Sequence, residues 1–251
     1  MRLSGAQWGV WFAQELAPRS PVFSIGQLLW LPAGCDSEVL ARAVGIAVHD
    51  ADVLWCRFDT GPQGPLQSIQ VPATPPSIEV RNHVGTADSL RAQARTRMAE
   101  ALPLAEGPLF AATVWSLDDG QIVWEFKAHH ILLDAYGLSL MTRRVAQVYT
   151  ALSRGAAVPE STFGTVAEMI TAEDEYERSD VAERDGEYWS AFAEELADSA
   201  ASLVPASPSE NMPIGVSVSI DREVIDRVDQ LARSVGATWG EAMIALWAWY
   251  D

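Results

Sequence analysis

The stretch that most constrains the fold runs from residue 109 to residue 152. Two strand-like runs, 109–115 and 121–128, flank Asp118-Asp119-Gly120. An Asp-Gly turn between such runs signals a β-hairpin, because its central positions tolerate the left-handed backbone that the twist of the strands favours. The second run leads directly into His129-His130-Ile131-Leu132-Leu133-Asp134, and a helical pattern follows over about 138–152, with Gly155 as its stop. Strand, turn, strand, a histidine-bearing loop and a helix are therefore expected in immediate succession.

The rest of the chain alternates helix and strand patterns. Residues 1–17 read as a helix with Trp8, Trp11, Phe12 and Leu16 near helical spacing, ended by Pro18 and Pro21. A strand over 22–31 precedes a helix over about 36–49, for which Asp36 and Ser37 are cap candidates. A strand is expected around 53–58. Residues 60–77, with Gly61, Gly64 and five prolines, read as loop. Thr86 opens a helix to about 102. Residues 165–198 are helical and acidic, with the run 173–198 best explained as a solvated helix face. A Ser/Pro/Ala-rich linker over 199–213, a strand over 215–220 and a helix over 221–235 follow. Thr238 and Glu241 then form a capping box for a last helix. That helix is apolar on most sides, as buried helices are. The sequence stops on it, so a fragment of a longer protein is expected.

Composition excludes several partner classes. The 251 residues are 49% hydrophobic, enough for one large core or two smaller ones. Net charge is −17, from 34 acidic and 17 basic residues, which argues against a nucleic-acid partner. Mean hydropathy is +0.04, and no apolar run reaches the ~20 residues of a membrane span. Residues 1–8 do not resemble a secretory signal. A cytoplasmic protein with no membrane partner is expected. Cys35 and Cys56 stand in unrelated contexts without metal spacing and read as free thiols, and no metal site is expected.

If the strand persists through the histidines, alternation puts His130 with Ile122, Trp124, Phe126 and Ala128, and His129 with Val123, Glu125 and Lys127. His130 then faces apolar neighbours that favour a neutral imidazole, able to accept a proton or bond a nucleophile. Asp134 either pairs with an arginine or caps the following helix. Gly137 permits a tight strand-to-helix turn, and the helix N-terminus offers N–H donors for an oxyanion. Pattern alone leaves other readings open. The histidines could simply fill space. A metal site of His129, His130 and Asp134 is disfavoured because alternation points the histidines apart. A Ser-His-Asp hydrolase lacks its Gly-x-Ser-x-Gly elbow here.

HHILLDAYGLSL resembles the HHxxxDG signature of the condensation domains of nonribosomal peptide synthetases. LSGAQWGVWFAQEL at 3–16 resembles the opening motif of that family, and ADVLWCRF at 51–58 its second motif. Gly107-Pro108-Leu109 and Tyr188-Trp189 resemble two further family elements, in matching order. The resemblance implies an α/β fold: a two-layer α/β sandwich lobe of the chloramphenicol acetyltransferase-like type, with an incomplete second lobe. The implied division is an N-terminal lobe over 1–165, a helical interlobe region and linker over 166–213, and the start of the C-terminal lobe over 214–251. It implies amide formation between a donor acyl or peptidyl thioester and the amine of an acceptor aminoacyl thioester. Phosphopantetheine arms of donor and acceptor carrier proteins would deliver both, with no other cofactor. The remaining lobe and neighbouring synthetase domains are the other implied partners. His130 would be catalytic. His129, Asp134, Arg57 and Gly137 would be structural, with Arg57 as candidate partner of Asp134 and Arg143 or Arg144 as alternatives. Ala135, Tyr136 and Trp124 are candidates for lining the substrate tunnel. Two departures, Ala135 for the usual glycine and Trp55 for the usual arginine, keep two other functions in view: a non-catalytic recruitment platform, and a stand-alone acyltransferase using acyl-coenzyme A.

Overall fold

A computed structural model describes residues 1–196 apart from 33 and 63, and residues 219–250. Two compact units divide at residues 212 and 213. In the first, helix α1 (Gly5–Leu16) opens with a reciprocal capping box between Ser4 and Gln7. Strand β1 (Ser24–Trp30) leads to α2 (Ser37–Asp50), where the Asp36 carboxylate accepts from the Glu38 and Val39 amides at 2.8 and 3.0 Å. The strand expected around 53–58 begins instead as a 3-10 turn (Asp52–Trp55) and continues as β2 (Cys56–Gly61). The supposed loop 60–77 contains β3 (Gly64–Ile69), which pairs antiparallel with β2. Pro65 is tolerated there because β3 pairs with a strand on one side alone, its other side meeting residues 1–2 through the Arg2–Leu66 bridge. Strand β4 (Glu79–His83), which the sequence pattern did not reveal, precedes α3 (Ala87–Met98). The hairpin is β5 (Phe110–Leu117) and β6 (Ile122–His129), followed by α4 (Ala135–Ser153), α5 (Val166–Glu177) and α6 (Asp180–Leu196).

The main sheet has the order β1-β6-β5-β4, antiparallel except for the parallel β4–β5 pair. Strand β6 is therefore internal, and all eight of its residues are buried. One face carries Trp124, Phe126 and Ala128 into a core shared with Leu40, Val44 and Val48 of α2 and Met141, Val145 and Val148 of α4. Each large apolar side chain buried there contributes about 1.5–3 kcal/mol. The other face meets α3. Leu90 packs with Trp115, Leu117 and Val123, and Arg97 grips Glu125 through two bonds of 2.9 and 2.7 Å. Lys127, the only lysine in the sequence, donates to the Arg97 carbonyl at 2.6 Å near the C-terminal end of α3. Burial pushes its pKa down.

Helix α5 is tied to this lobe. Thr165 and Glu168 cap it reciprocally, Val166 and Ile170 are buried, and Arg2 reaches Glu173 at 2.8 Å and Asp174 at 2.9 Å. Helix α6 exposes Asp180, Glu183, Arg184, Glu187 and Glu194 together with Tyr188, Trp189 and Phe192.

The second unit contains α7 (Arg222–Ser234) and α8 (Trp239–Tyr250), packed on each other. The expected capping box is present, with the Glu241 amide donating to Thr238 Oγ1 at 3.3 Å and the Thr238 amide to Glu241 Oε2 at 2.6 Å. The last helix leaves Ile244, Trp247 and Trp249 exposed. The linker expected over 199–213 and most of the strand expected over 215–220 lie outside the described residues.

Candidate active site

Strand β6 ends at His129, one residue earlier than alternation through both histidines requires. His129 is 2% exposed, whereas His130 stands in the turn with its side chain exposed. The expectation of a desolvated His130 is thus corrected: desolvation falls on His129. Because an internal strand is covered on both faces, facing direction does not separate the histidines. Position relative to the strand end does.

The bonds around His129 fix its tautomer. The Ile131 amide donates to His129 Nδ1 at 3.1 Å, so Nδ1 carries no proton. Nε2 then donates to Gln14 Oε1 at 3.0 Å. Gln14 is oriented in turn by its Nε2, which donates to the carbonyls of Ala17 at 2.8 Å and Ser20 at 3.3 Å. Burial, with a smaller contribution from the neighbouring His130, pushes the His129 pKa down to about 4. A neutral imidazole with both nitrogens engaged has no capacity left for proton transfer.

His130 is held through its backbone. Its amide donates to the Phe23 carbonyl at 2.7 Å, just before β1, and the adjoining Ile131 carbonyl accepts from Gln7 Nε2 at 3.4 Å. His130 lines a groove of about 850 Å³ between the 130–137 segment, α1 and the start of α5. Tyr136, Asp134 and Gly137 line the same groove, and Tyr136 is 71% exposed. A second hollow of about 360 Å³ shares Asp52, Val53, Leu133, Gly137 and Gly164 with it. Ala135, the first residue of α4, is exposed but lines neither. Trp124 is corrected as a tunnel candidate: it is fully buried in the core, against Phe126 at 5.8 Å between ring centroids. Its parity in β6 points it at α2 and α4.

Asp134 is the N-cap of α4, its Oδ1 accepting from the Gly137 amide at 2.8 Å. The helix begins at Ala135, three residues earlier than its apolar pattern suggests, which puts Asp134 at the capping position. One of the helix's free N–H donors is therefore used internally. Gly137 has a steric role as well, since an added Cβ would fall 2.9 Å from Leu133 Cβ. The expected Asp134–Arg57 pairing is corrected. No ion pair joins them among the described residues, because the Arg57 guanidinium lies across Gly107, where a Cβ would come 1.3 Å from Nη1. Arg144 is committed elsewhere, to Asp50 at 2.8 Å and the Pro159 carbonyl at 2.9 Å. Trp55 packs its ring edge-on to Phe110 at 5.4 Å and donates from Nε1 to the Val48 carbonyl at 3.0 Å. Sequence reading passed over Gln7 and Gln14, polar residues inside an aromatic-rich helix. Their burial is the signal that sets them apart.

An exposed histidine and a capping aspartate four residues on thus join an internal strand to a long helix of an α/β lobe. The sequence matches the family model for the condensation domain over residues 1–250, and the chain belongs to that family. It is 28% identical to the dimodular nonribosomal peptide synthase of Bacillus subtilis (strain 168), aligning over 99% of this chain and 10% of that protein. It is 30% identical to the isonitrile lipopeptide synthase of Streptomyces coeruleorubidus, over 98% of this chain and 17% of that protein. Among solved structures, the first condensation domain of the calcium-dependent antibiotic synthetase, in complex with a substrate analogue, superposes with a TM-score of 0.79 at 27% identity, covering 97% of this chain and 58% of that one. A variant starter condensation domain of rhizomide synthetase, in complex with C8-CoA, gives 0.70 at 31% identity, covering 78% and 45%. The chain thus spans 45–58% of these solved domains and 10–17% of the two synthases. Among the described residues, no helix is long and apolar enough to cross a membrane.

Proposed function

We propose that this chain supplies the His130-bearing part of an amide-forming centre in nonribosomal peptide synthesis. The acceptor amine attacks the donor carbonyl carbon, the C–S bond breaks, and the thiol leaves on the donor's phosphopantetheine arm. His130 holds the amine in line, takes up the proton it loses and passes it to the departing sulfur, which leaves as the thiol. The observation that carries this reading is the division of labour in the turn: His129 is buried with both nitrogens bonded, while His130 opens into the groove. Donor and acceptor carrier proteins are the proposed substrate-bearing partners, beside the rest of the condensation domain and its neighbours in the synthetase, in the cytoplasm. The arms of the carriers are the only prosthetic groups the reaction needs.

The test is reconstitution of the full synthetase with loaded donor and acceptor carriers, followed by mass spectrometry of the acceptor arm. The expected product is an acceptor-bound amide that disappears when either carrier is omitted. Carrier binding with no amide would replace this reading by a recruitment platform. Product from acyl-coenzyme A but not from a carrier-bound donor would replace it by a stand-alone acyltransferase.

A further inference from the structure

The turn that presents His130 is tied to α1 through Gln7 and, by way of His129, through Gln14. We propose that Gln14 is a positioning residue for His130, acting through His129 and the Ile131 amide; this rests on His130 being the reactive histidine. The relay has three links. Gln14 Nε2 is fixed by the Ala17 and Ser20 carbonyls, which leaves Oε1 as the end facing His129. Oε1 accepts the His129 Nε2 proton, so the unprotonated nitrogen is Nδ1. Nδ1 then accepts the Ile131 amide, the peptide bond that leaves His130. Gln14 and His129 are 3% and 2% exposed, so water cannot replace either partner in this relay. A second clamp works beside it. Gln7 and Gln67 form a reciprocal amide pair of 3.1 and 2.8 Å, and Gln7 Nε2 also reaches the Ile131 carbonyl.

The relay works only in one direction of protonation. If the imidazole gained a second proton, Nδ1 would become a donor facing the donor N–H of Ile131, and the link to the His130 peptide would break. The titratable group acting on His129 is His130; Gln14 and the Phe23 ring, 6.1 Å away between centroids, are neutral. Gln14, as a neutral amide with its donors spent on carbonyls, accepts from Nε2 without drawing a second proton onto the ring.

Two substitutions in the full synthetase separate this role from general stability. Gln14→Leu removes the acceptor. The expected outcome is a fall in kcat of about tenfold or more with KM for the acceptor carrier changed less than about twofold, as for a misplaced reacting group. Imidazole 15N shifts should show His129 leaving its single Nε2-protonated form. Gln14→Glu keeps the acceptor for His129 Nε2, adds a negative charge beside it and gives up the two bonds to the Ala17 and Ser20 carbonyls. It should retain more activity than Gln14→Leu at pH 8 and lose it as pH falls, with the acid limb of kcat about 1 pH unit higher than in the parent. If Gln14→Leu fails to fold, the pH profile of Gln14→Glu decides alone. An unchanged acid limb in Gln14→Glu, or unchanged kcat in a folded Gln14→Leu, would overturn the proposal. Full activity in His130→Ala, run alongside, would instead remove the reading on which it rests.

Discussion

The cap assignment of Asp134 makes a quantitative prediction against an ion-pair role. The carboxylate is exposed and makes one short bond, Oδ1 to the Gly137 amide at 2.8 Å. An N-cap carboxylate replaced by alanine costs about 1 kcal/mol, within a range of roughly 0.5–2. Asparagine caps as well as aspartate and forgoes only the attraction of a charge to the helix N-terminus, about 0.3–1 kcal/mol at an exposed site. Asp134→Ala should therefore lower the urea unfolding free energy by about 1 kcal/mol, and Asp134→Asn by about half as much or less. Arg57 lies against Gly107, so a double-mutant cycle of Asp134→Ala with Arg57→Ala should give a coupling within about 0.5 kcal/mol of zero. Had Asp134 been held by an arginine, asparagine would behave like alanine. A coupling of about 1.5 kcal/mol or more, or equal losses for Asn and Ala, would refute the geometry described here.

Two further outcomes follow from burial. The His129 imidazole takes its proton near 6.5 when unfolded and only near about 4 when folded, so between these values the unfolded chain binds more protons and stability rises with pH. Stability should fall by up to roughly 3 kcal/mol from pH 6.5 to pH 4 on this account, and His129→Asn should flatten that slope in urea unfolding; an unaltered slope would contradict the burial argument. The Cys56 thiol is pushed up to about 12, chiefly by burial, whereas Cys35 is half-buried. A thiol reagent at pH 8 should modify one cysteine in the native protein and both in denaturant, and rapid native labelling of both would contradict the packing of β2.

Much of the fold was legible because local chemistry and tertiary structure agree. The Asp-Gly hairpin, the Asp36 and Thr86 caps and the Thr238–Glu241 box all form as their residues suggest. Strands β3 and β4 were not legible. The first carries Pro65 in a proline-rich stretch, and the second is a short edge strand of polar composition, EVRNH, whose pairing partner lies 34 residues on. Neither has an apolar period strong enough to announce itself. At the site, period-two reasoning assumed a strand continuing through His130. Because β6 is internal, both of its faces are buried, and the informative quantity was where it stops. A one-residue difference there exchanges the environments expected for the two histidines, while Trp124 lies in the core because its face of β6 is covered by α2 and α4. The place of Asp134 depended likewise on where α4 starts. The Gln14–His129 relay was illegible because it joins residues 115 positions apart through polar groups inside an apolar helix.

The central claim is that His130, and not the buried His129, meets the substrates. Its most direct test is the rate of acceptor-bound amide formation by the full synthetase carrying His130→Ala, with circular dichroism to verify the fold. The account predicts a folded protein whose rate falls by about 10²–10⁴-fold, the range for removal of a positioned acid–base group. Product formed within about threefold of the parent rate would contradict it.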